Sequence, residues 1–196
     1  KAMRGMNRVT GAALLWLLGG VMAAFAQERG LGDVVYVPTP DVVVEEMLTM
    51  AKVGPNDFLI DLGSGDGRMV RVAAKKFGAR GFGVDLSDDL LREANALAIS
   101  DGVSDRARFV KQNLFDTDLN QATVITTYLL PQMNERLRPK ILALKPGTRV
   151  VAHDYSMGEW RADETKDILV PEKQVGNPGH SYVFLWIVPS RVGGRW

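Results

Sequence analysis

The sequence of 196 residues contains no cysteine and only two histidines, His153 and His180. The missing cysteines exclude disulfides, a thiolate metal site and a thiol nucleophile, and leave the redox compartment undecided. The two histidines lie far apart in the chain, and no acidic pair at ligand spacing stands beside either, so no metal site is expected. Charge of one sign is also lacking, with 24 Lys and Arg against 23 Asp and Glu for a net +1. No basic field therefore argues for nucleic acid, and no acidic field for a solvating tail. There is no Ser-His-Asp arrangement, no phosphate-loop lysine and no internal repeat. What is present is a balance of 46% hydrophobic and 24% charged residues. That balance and this length describe one α/β domain with a core of its own.

A long apolar run occurs only near the start. Lys1, Arg4 and Arg8 precede an apolar stretch from Val9 to Ala26, and Ala24-Phe25-Ala26 has a small-x-small form ahead of Gln27. This reads as a secretory signal peptide initiating at Met3 or Met6. The alternative is a membrane anchor, since about 18 apolar residues is the lower edge of a spanning helix. Residues 1–26 are therefore set apart as signal or anchor, with membrane association through residues 9–26 under the second reading. Residues 27–40 read as a lead-in loop, 41–190 as the folded domain and 191–196 as a tail.

Within the domain, strand and helix signals alternate. Thr39 is expected to cap a helix with Pro40 at its first position, and Val43, Met47 and Met50 recur at helical spacing over 41–52. A short buried strand is expected over Asp57–Leu62, a helix over Arg68–Phe77 and a second strand over Arg80–Asp85. Ser87 is a good cap for the next helix, Asp88 and Asp89 suit its first turn, and Gly102 is placed to end it. Strands follow at Arg106–Lys111 and Thr123–Tyr128, a helix after Pro131, and a fifth strand at Arg149–Asp154. Thr165–Val170 and Tyr182–Val188 then form two strands with no helix between them. Five strand units with crossovers imply a Rossmann-like, doubly wound, mostly parallel sheet of about seven strands. The last pair must be an antiparallel hairpin.

The turn Asp61-Leu62-Gly63-Ser64-Gly65-Asp66-Gly67 carries the chemistry. Glycines between a strand and a helix let a ligand approach the backbone closely. The spacing is not the G-x-G-x-x-G of a dinucleotide site. Asp61, at the strand end, would repel a pyrophosphate but suits an ammonium group. Asp85, ending the second strand, is placed to accept both hydroxyls of a ribose.

Acid, glycines and second acid together resemble motif I and its acidic partner in class I S-adenosylmethionine-dependent methyltransferases. The resemblance continues through Phe109-Val110-Lys111-Gln112-Asn113-Leu114, where the family commonly has an Asp on the adenine amine and this chain has Asn113. It implies S-adenosyl-L-methionine as cofactor, bound by Asp61, Gly63, Ser64, Gly65, Gly67, Asp85, Leu86, Asn113 and Leu114. Tyr36-Val37-Pro38-Thr39, the glycine turn through Arg68, and Pro131-Gln132-Met133 are similar to the lysine methyltransferases that act on the ATP synthase c-subunit or the adenine nucleotide carrier. That implies N-methylation of a protein lysine, with a protein or a small amine as acceptor. Residues at the ends of the fourth and fifth strands would face the methyl group, so Tyr128 and Asp154, with Tyr36 from the lead-in, are the catalytic candidates. His153 and Asp154 are a candidate proton-acceptor pair, and Trp160 is expected to pack.

Three other readings stay open: a small-molecule methyltransferase, a cofactor-binding domain without turnover, and an NAD-dependent oxidoreductase, against which the glycine spacing counts. The signal-like start argues for export or anchoring, whereas supply of the cofactor argues for the cytoplasm.

Overall fold

The computed structural model of the protein describes residues 35–190. The apolar stretch read as signal or anchor, most of the lead-in and the 191–196 tail lie outside the described residues. The chain divides into Lys1–Tyr36 and Val37–Trp196, and every element named here belongs to the second unit. Among the described residues no helix is long and apolar enough to cross a membrane.

Helix α1 (Asp41–Met50) buries Val43, Met47 and Met50, the residues its periodicity marks, and Val44 and Leu48 beside them. Its start differs from expectation. Pro40 takes the cap position and no side chain caps the helix. The Thr39 hydroxyl lies instead 3.2 Å from Nδ1 of His153, and this long-range partner displaces the local one. Strand β1 (Phe58–Leu62) leads through the glycine turn into α2 (Arg68–Phe77), and β2 (Arg80–Asp85) follows. Ser87 does cap α3 (Asp88–Ser100), its Oγ accepting from the Leu90 N–H at 3.3 Å. That helix stops as the sequence predicts: Gly102 adopts φ +70. The Gly102 and Val103 N–H groups then donate back to Ile99 and Ala98 at 3.0 and 2.9 Å, which satisfies carbonyls the helix would leave bare.

Strands β3 (Ala107–Lys111), β4 (Val124–Thr127) and β5 (Arg149–His153) complete the parallel part, with α4 (Pro131–Leu142) between the last two. Strands β6 (Glu164–Val170) and β7 (Gly179–Ile187) form the expected hairpin. The sheet order is β3-β2-β1-β4-β5-β7-β6, so the last strand lies between β5 and β6 and runs antiparallel to both.

Alternation along the strands decides the layers. Leu59, Val124, Val151, Val183 and Leu185 share a core with α1, α2 and α3. Ile60, Ile125, Val150 and Trp186 face Leu137 and Ile141 of α4 on the other side. There Trp160 packs against Trp186 as expected, its carbonyl accepting the indole N–H at 2.7 Å. The two layers are unequal, because the link from β3 to β4 carries only a 3₁₀ turn (Leu114–Asp116) where a doubly wound fold has a crossover helix. An open groove of about 480 Å³ remains on that face, lined by Phe58, Phe82, Val110 and the arginines 80, 106 and 108.

Candidate active site

Parallel strands β1, β2 and β4 end at one edge of the sheet, and polar side chains collect there. Asp61 is buried and in register with Gly83 of β2 and Thr126 of β4. The Thr126 hydroxyl donates to Asp61 Oδ1 at 2.6 Å. Burial outweighs that bond and, with the charges of Asp85 and Asp66 nearby, pushes the Asp61 carboxyl up to about 7.

Gly63, Gly65 and Gly67 then adopt φ of +82, +53 and +77, the left-handed region that side-chain-bearing residues avoid. The turn is fastened to β2. Gly63 and Ser64 N–H groups donate to the Val84 carbonyl at 3.0 and 2.9 Å, and the Gly65 N–H donates to Asp85 Oδ2 at 2.9 Å. The other Asp85 oxygen accepts from the Ser87 N–H at 3.0 Å. Each carboxylate oxygen has a second lone pair, so Asp85 is held rigidly with acceptor capacity left over. Arg68 grips Asp66, with Nη2 2.7 Å from Oδ2, and donates through Nη1 to the Thr39 carbonyl at 2.8 Å. These contacts tie the turn to the segment before α1.

The remaining cofactor candidates are placed less uniformly. The Ser64 hydroxyl is buried and has no partner. It faces Gly83, where an added Cβ would lie 2.3 Å from the Ser64 Cβ, so this side chain points into the sheet. Leu86 is exposed and Leu114 half-buried. Asn113 is exposed, but its Oδ1 accepts from the Phe115 N–H at 3.0 Å and caps the 3₁₀ turn. One lone pair of that oxygen remains.

The other end of the site is built from β4, β5 and the closing hairpin. Tyr128, just beyond β4, lays its ring over His153 with centroids 3.9 Å apart, and Tyr155 stacks at 6.2 Å. Between His153 and Tyr155 the chain makes a three-residue turn: Asp154 has φ +62 and the Tyr155 N–H donates back to the His153 carbonyl at 2.8 Å. Such a γ-turn is rare and strained. It aims the Asp154 carboxylate inward, where Oδ2 accepts from the Tyr128 hydroxyl at 3.3 Å and from the Lys173 ammonium, and Oδ1 accepts from the Tyr182 N–H at 3.1 Å. The two nitrogens of His153 are likewise taken, Nδ1 by Thr39 and Nε2 by Ser181 Oγ at 2.9 Å. Burial holds this imidazole down to about 4, so it is neutral.

The expected proton-acceptor pair is enclosed: the side chains of His153 and Asp154 are both 0% exposed, and their polar atoms are engaged within the protein. Tyr128 and Tyr155 are the partly exposed groups. Lys173 and Ser181 gave no signal in the sequence, and Thr39 read as a helix cap. Tyr36 falls in the first unit, Lys1–Tyr36. His180 is exposed, with Nδ1 2.9 Å from Asp167 Oδ1.

Residues 61–164, from the first acid of the glycine turn to the start of β6, match the ANTKMT methyltransferase domain. The chain belongs to this methyltransferase family. It is 44% identical over 155 residues to a protein-lysine N-methyltransferase of Saccharolobus islandicus, covering 78% of this chain and 92% of that one. It is 32% identical over 133 residues to the lysine N-methyltransferase of the ATP synthase C-subunit from Rattus norvegicus, covering 66% of this chain and 60% of the rat protein. Among solved structures, an RNA methyltransferase from Salinibacter ruber in complex with S-adenosyl-L-homocysteine superposes with a TM-score of 0.72 at 43% identity, covering 81% of this chain and 98% of that one. A methyltransferase from Geobacter sulfurreducens shares the fold at 21% identity, with a TM-score of 0.54 and coverage of 71% and 54%. The matched span holds the glycine turn, Tyr128 and Asp154; Lys173 lies beyond it.

Proposed function

We propose that this methyltransferase transfers a methyl group from S-adenosylmethionine to a lysine side chain of a protein. The observation that carries the reading is the placement of two features on one sheet edge: an acid-flanked glycine turn, and beside it an aromatic wall of Tyr128 and Tyr155. The names of the Saccharolobus and rat relatives support the acceptor.

The cofactor fits the residues present. A buried carboxylate at the end of β1 suits its ammonium, the fixed Asp85 suits two ribose hydroxyls, and the exposed Gly63 leaves room for a ligand to pass between them. Leu86 and Leu114 would hold the adenine in this assignment, and the remaining lone pair of Asn113 Oδ1 would accept from its amine. The backbone of Gly65, Gly67 and Ser64 shapes the turn. Bound there, the cofactor supplies a methyl group on a sulfonium, an electrophile that needs no acid.

A lysine ammonium, with a reference pKa of about 10.4, has no lone pair and must first lose a proton. The side chains around the acceptor position do not take it. Burial, then the charges of Asp154 and Tyr155, push the Tyr128 phenol up, so it stays protonated and donates to Asp154. The acceptor proton therefore leaves to solvent before the amine is enclosed. As positive charge then moves onto nitrogen, the faces of Tyr128 and Tyr155 stabilise it. Asp154 acts from behind as a positioning group. Tyr36 is assigned to the acceptor channel on the Tyr36-Val37-Pro38-Thr39 resemblance alone.

Incubation with methyl-labelled S-adenosylmethionine and separate soluble, membrane and RNA fractions tests the acceptor. Label recovered as methyllysine after protein hydrolysis is the expected result. Label that survives protease and is released by ribonuclease would replace the reading with the RNA acceptor named for the Salinibacter structure.

The state of Asp61 gives a second test. With its carboxyl near 7 in the free protein, acid protonates it and removes the partner of the cofactor ammonium. Affinity for S-adenosylhomocysteine should thus rise with pH and level off above 7; at pH 6, about a tenth of the carboxyl is ionised and binding falls about tenfold. Titration calorimetry from pH 5.5 to 8 reads this directly, and a flat profile would remove Asp61 from the ammonium site.

A further inference from the structure

The hairpin that completes the sheet also reaches back over the acceptor side. Residues 171–178 between β6 and β7 are mostly exposed, yet Lys173 turns inward and its side chain is 5% exposed. Its ammonium donates to Asp154 Oδ2, to the His180 carbonyl at 2.7 Å and to Ser181 Oγ at 3.0 Å. Three acceptors match its three N–H groups. The Lys173 carbonyl in turn accepts the Gly179 N–H at 3.0 Å. A continuous polar chain therefore runs from Thr39 through His153, Ser181, Lys173 and Asp154 to the hydroxyl of Tyr128.

Further along the loop, Gly176 has φ +77, and a Cβ there would lie 2.8 Å from Asp154 Oδ2, 3.4 Å from the Tyr128 hydroxyl and 3.7 Å from that of Tyr155. The loop backbone thus passes beside both tyrosines with no side chain in between. Neither the matched family span nor the polar composition of the loop assigns it a role.

We propose that Lys173 is a positioning residue for the methyl acceptor: by fixing loop 171–178 and the Asp154 carboxylate, it holds Tyr128, Tyr155 and Gly176 as a rigid narrow wall that selects a slim, unbranched primary amine. The proposal rests on the acceptor reading above. Lys173 itself touches neither acceptor nor cofactor.

The test compares wild type with Lys173→Met, Lys173→Arg and the charge-balanced double variant Lys173→Met with Asp154→Asn, which leaves no unpaired buried charge if the single change misfolds. Initial rates are measured with poly-L-lysine and S-adenosylmethionine, S-adenosylhomocysteine affinity by calorimetry, and amide exchange across residues 173–182. For Lys173→Met and for the double variant, kcat/KM should fall about a hundredfold, chiefly through KM, the scale of a misplaced binding wall. Cofactor affinity should stay at the wild-type value. The Gly179 and Tyr182 amides should exchange at least about tenfold faster as the loop loosens, and Lys173→Arg should recover most of both effects. Unchanged KM and unchanged exchange would overturn the proposal, as would cofactor affinity falling in step with activity. Faster turnover in Lys173→Met would also overturn it, because the ammonium would then obstruct the acceptor. A wild type inactive on poly-L-lysine would count against the lysine reading alone, and the exchange data would still decide the role of Lys173.

Discussion

Asp85→Ala should lower affinity for S-adenosylhomocysteine by about a hundredfold or more, roughly 3 kcal/mol. Two effects combine. The carboxylate offers charge-assisted acceptors to two ribose hydroxyls, each such bond being worth about 1.5–3 kcal/mol. It also holds the Gly65 and Ser87 N–H groups at 2.9 and 3.0 Å. Truncation therefore removes the ligand's partner and frees the turn that shapes its site. Asp85→Asn separates the two parts, since the amide oxygen can still accept from one backbone N–H while the charge is gone. Calorimetric titration beside a melting curve checks this: affinity should collapse for Ala and fall less for Asn, with the fold retained in both. Wild-type affinity in Asp85→Ala would place the ribose elsewhere.

Gly67→Ala should cost the fold about 2–5 kcal/mol, from left-handed strain of about 1–2 and overpacking of about 1–3. Gly67 has φ +77, and its added Cβ would stand 2.4 Å from Phe109 Cζ and 2.9 Å from the Ala94 Cβ. The Phe109 ring closes over both Gly67 and Gly83, so the turn, α3 and the neighbouring strand would have to separate. Urea unfolding gives the magnitude. Phe109→Leu in the Gly67→Ala background should return the Phe109 share of the overlap and leave the Ala94 contact and the backbone strain. An unchanged midpoint for Gly67→Ala alone would mean that the ring moves aside freely.

Much of this architecture was legible because its signals are local. The span Arg68–Phe77 is bounded by glycines on both sides, and Ser87 and Gly102 mark the two ends of α3 by capping chemistry that depends on a few neighbouring residues. The hairpin was legible because no helical segment separates its strands. What failed depends on distance. Thr39 has the chemistry of a cap, and a partner 114 residues away determines its use. His153 and Asp154 read as accessible because strand ends usually are; their burial comes from β7 and the loop that Lys173 carries across them. A lysine in a stretch rich in Pro, Glu, Gln and Asn reads as solvated, since nothing nearby in sequence announces its carboxylate partner. The glycine-turn end of the sheet edge was thus readable from contiguous residues, whereas the Tyr128 end is assembled from segments that meet only in the fold.

The position of β7 between β5 and β6 also sets an order for making the protein. A ribosome releases β1 to β5 in sequence, and each strand after β1 finds a parallel neighbour already available. Strand β6 then emerges with no partner, because β7 is the one strand it pairs with. Until Ser181 is translated the Lys173 anchor is incomplete, and until Val183 to Ile187 follow, the edge of β5 stays open. A nascent chain can therefore shape the cofactor half early and the acceptor half last. A stop between Val170 and Gly179 would leave β5 and β6 without their shared partner, an open sheet edge of the kind on which chains aggregate.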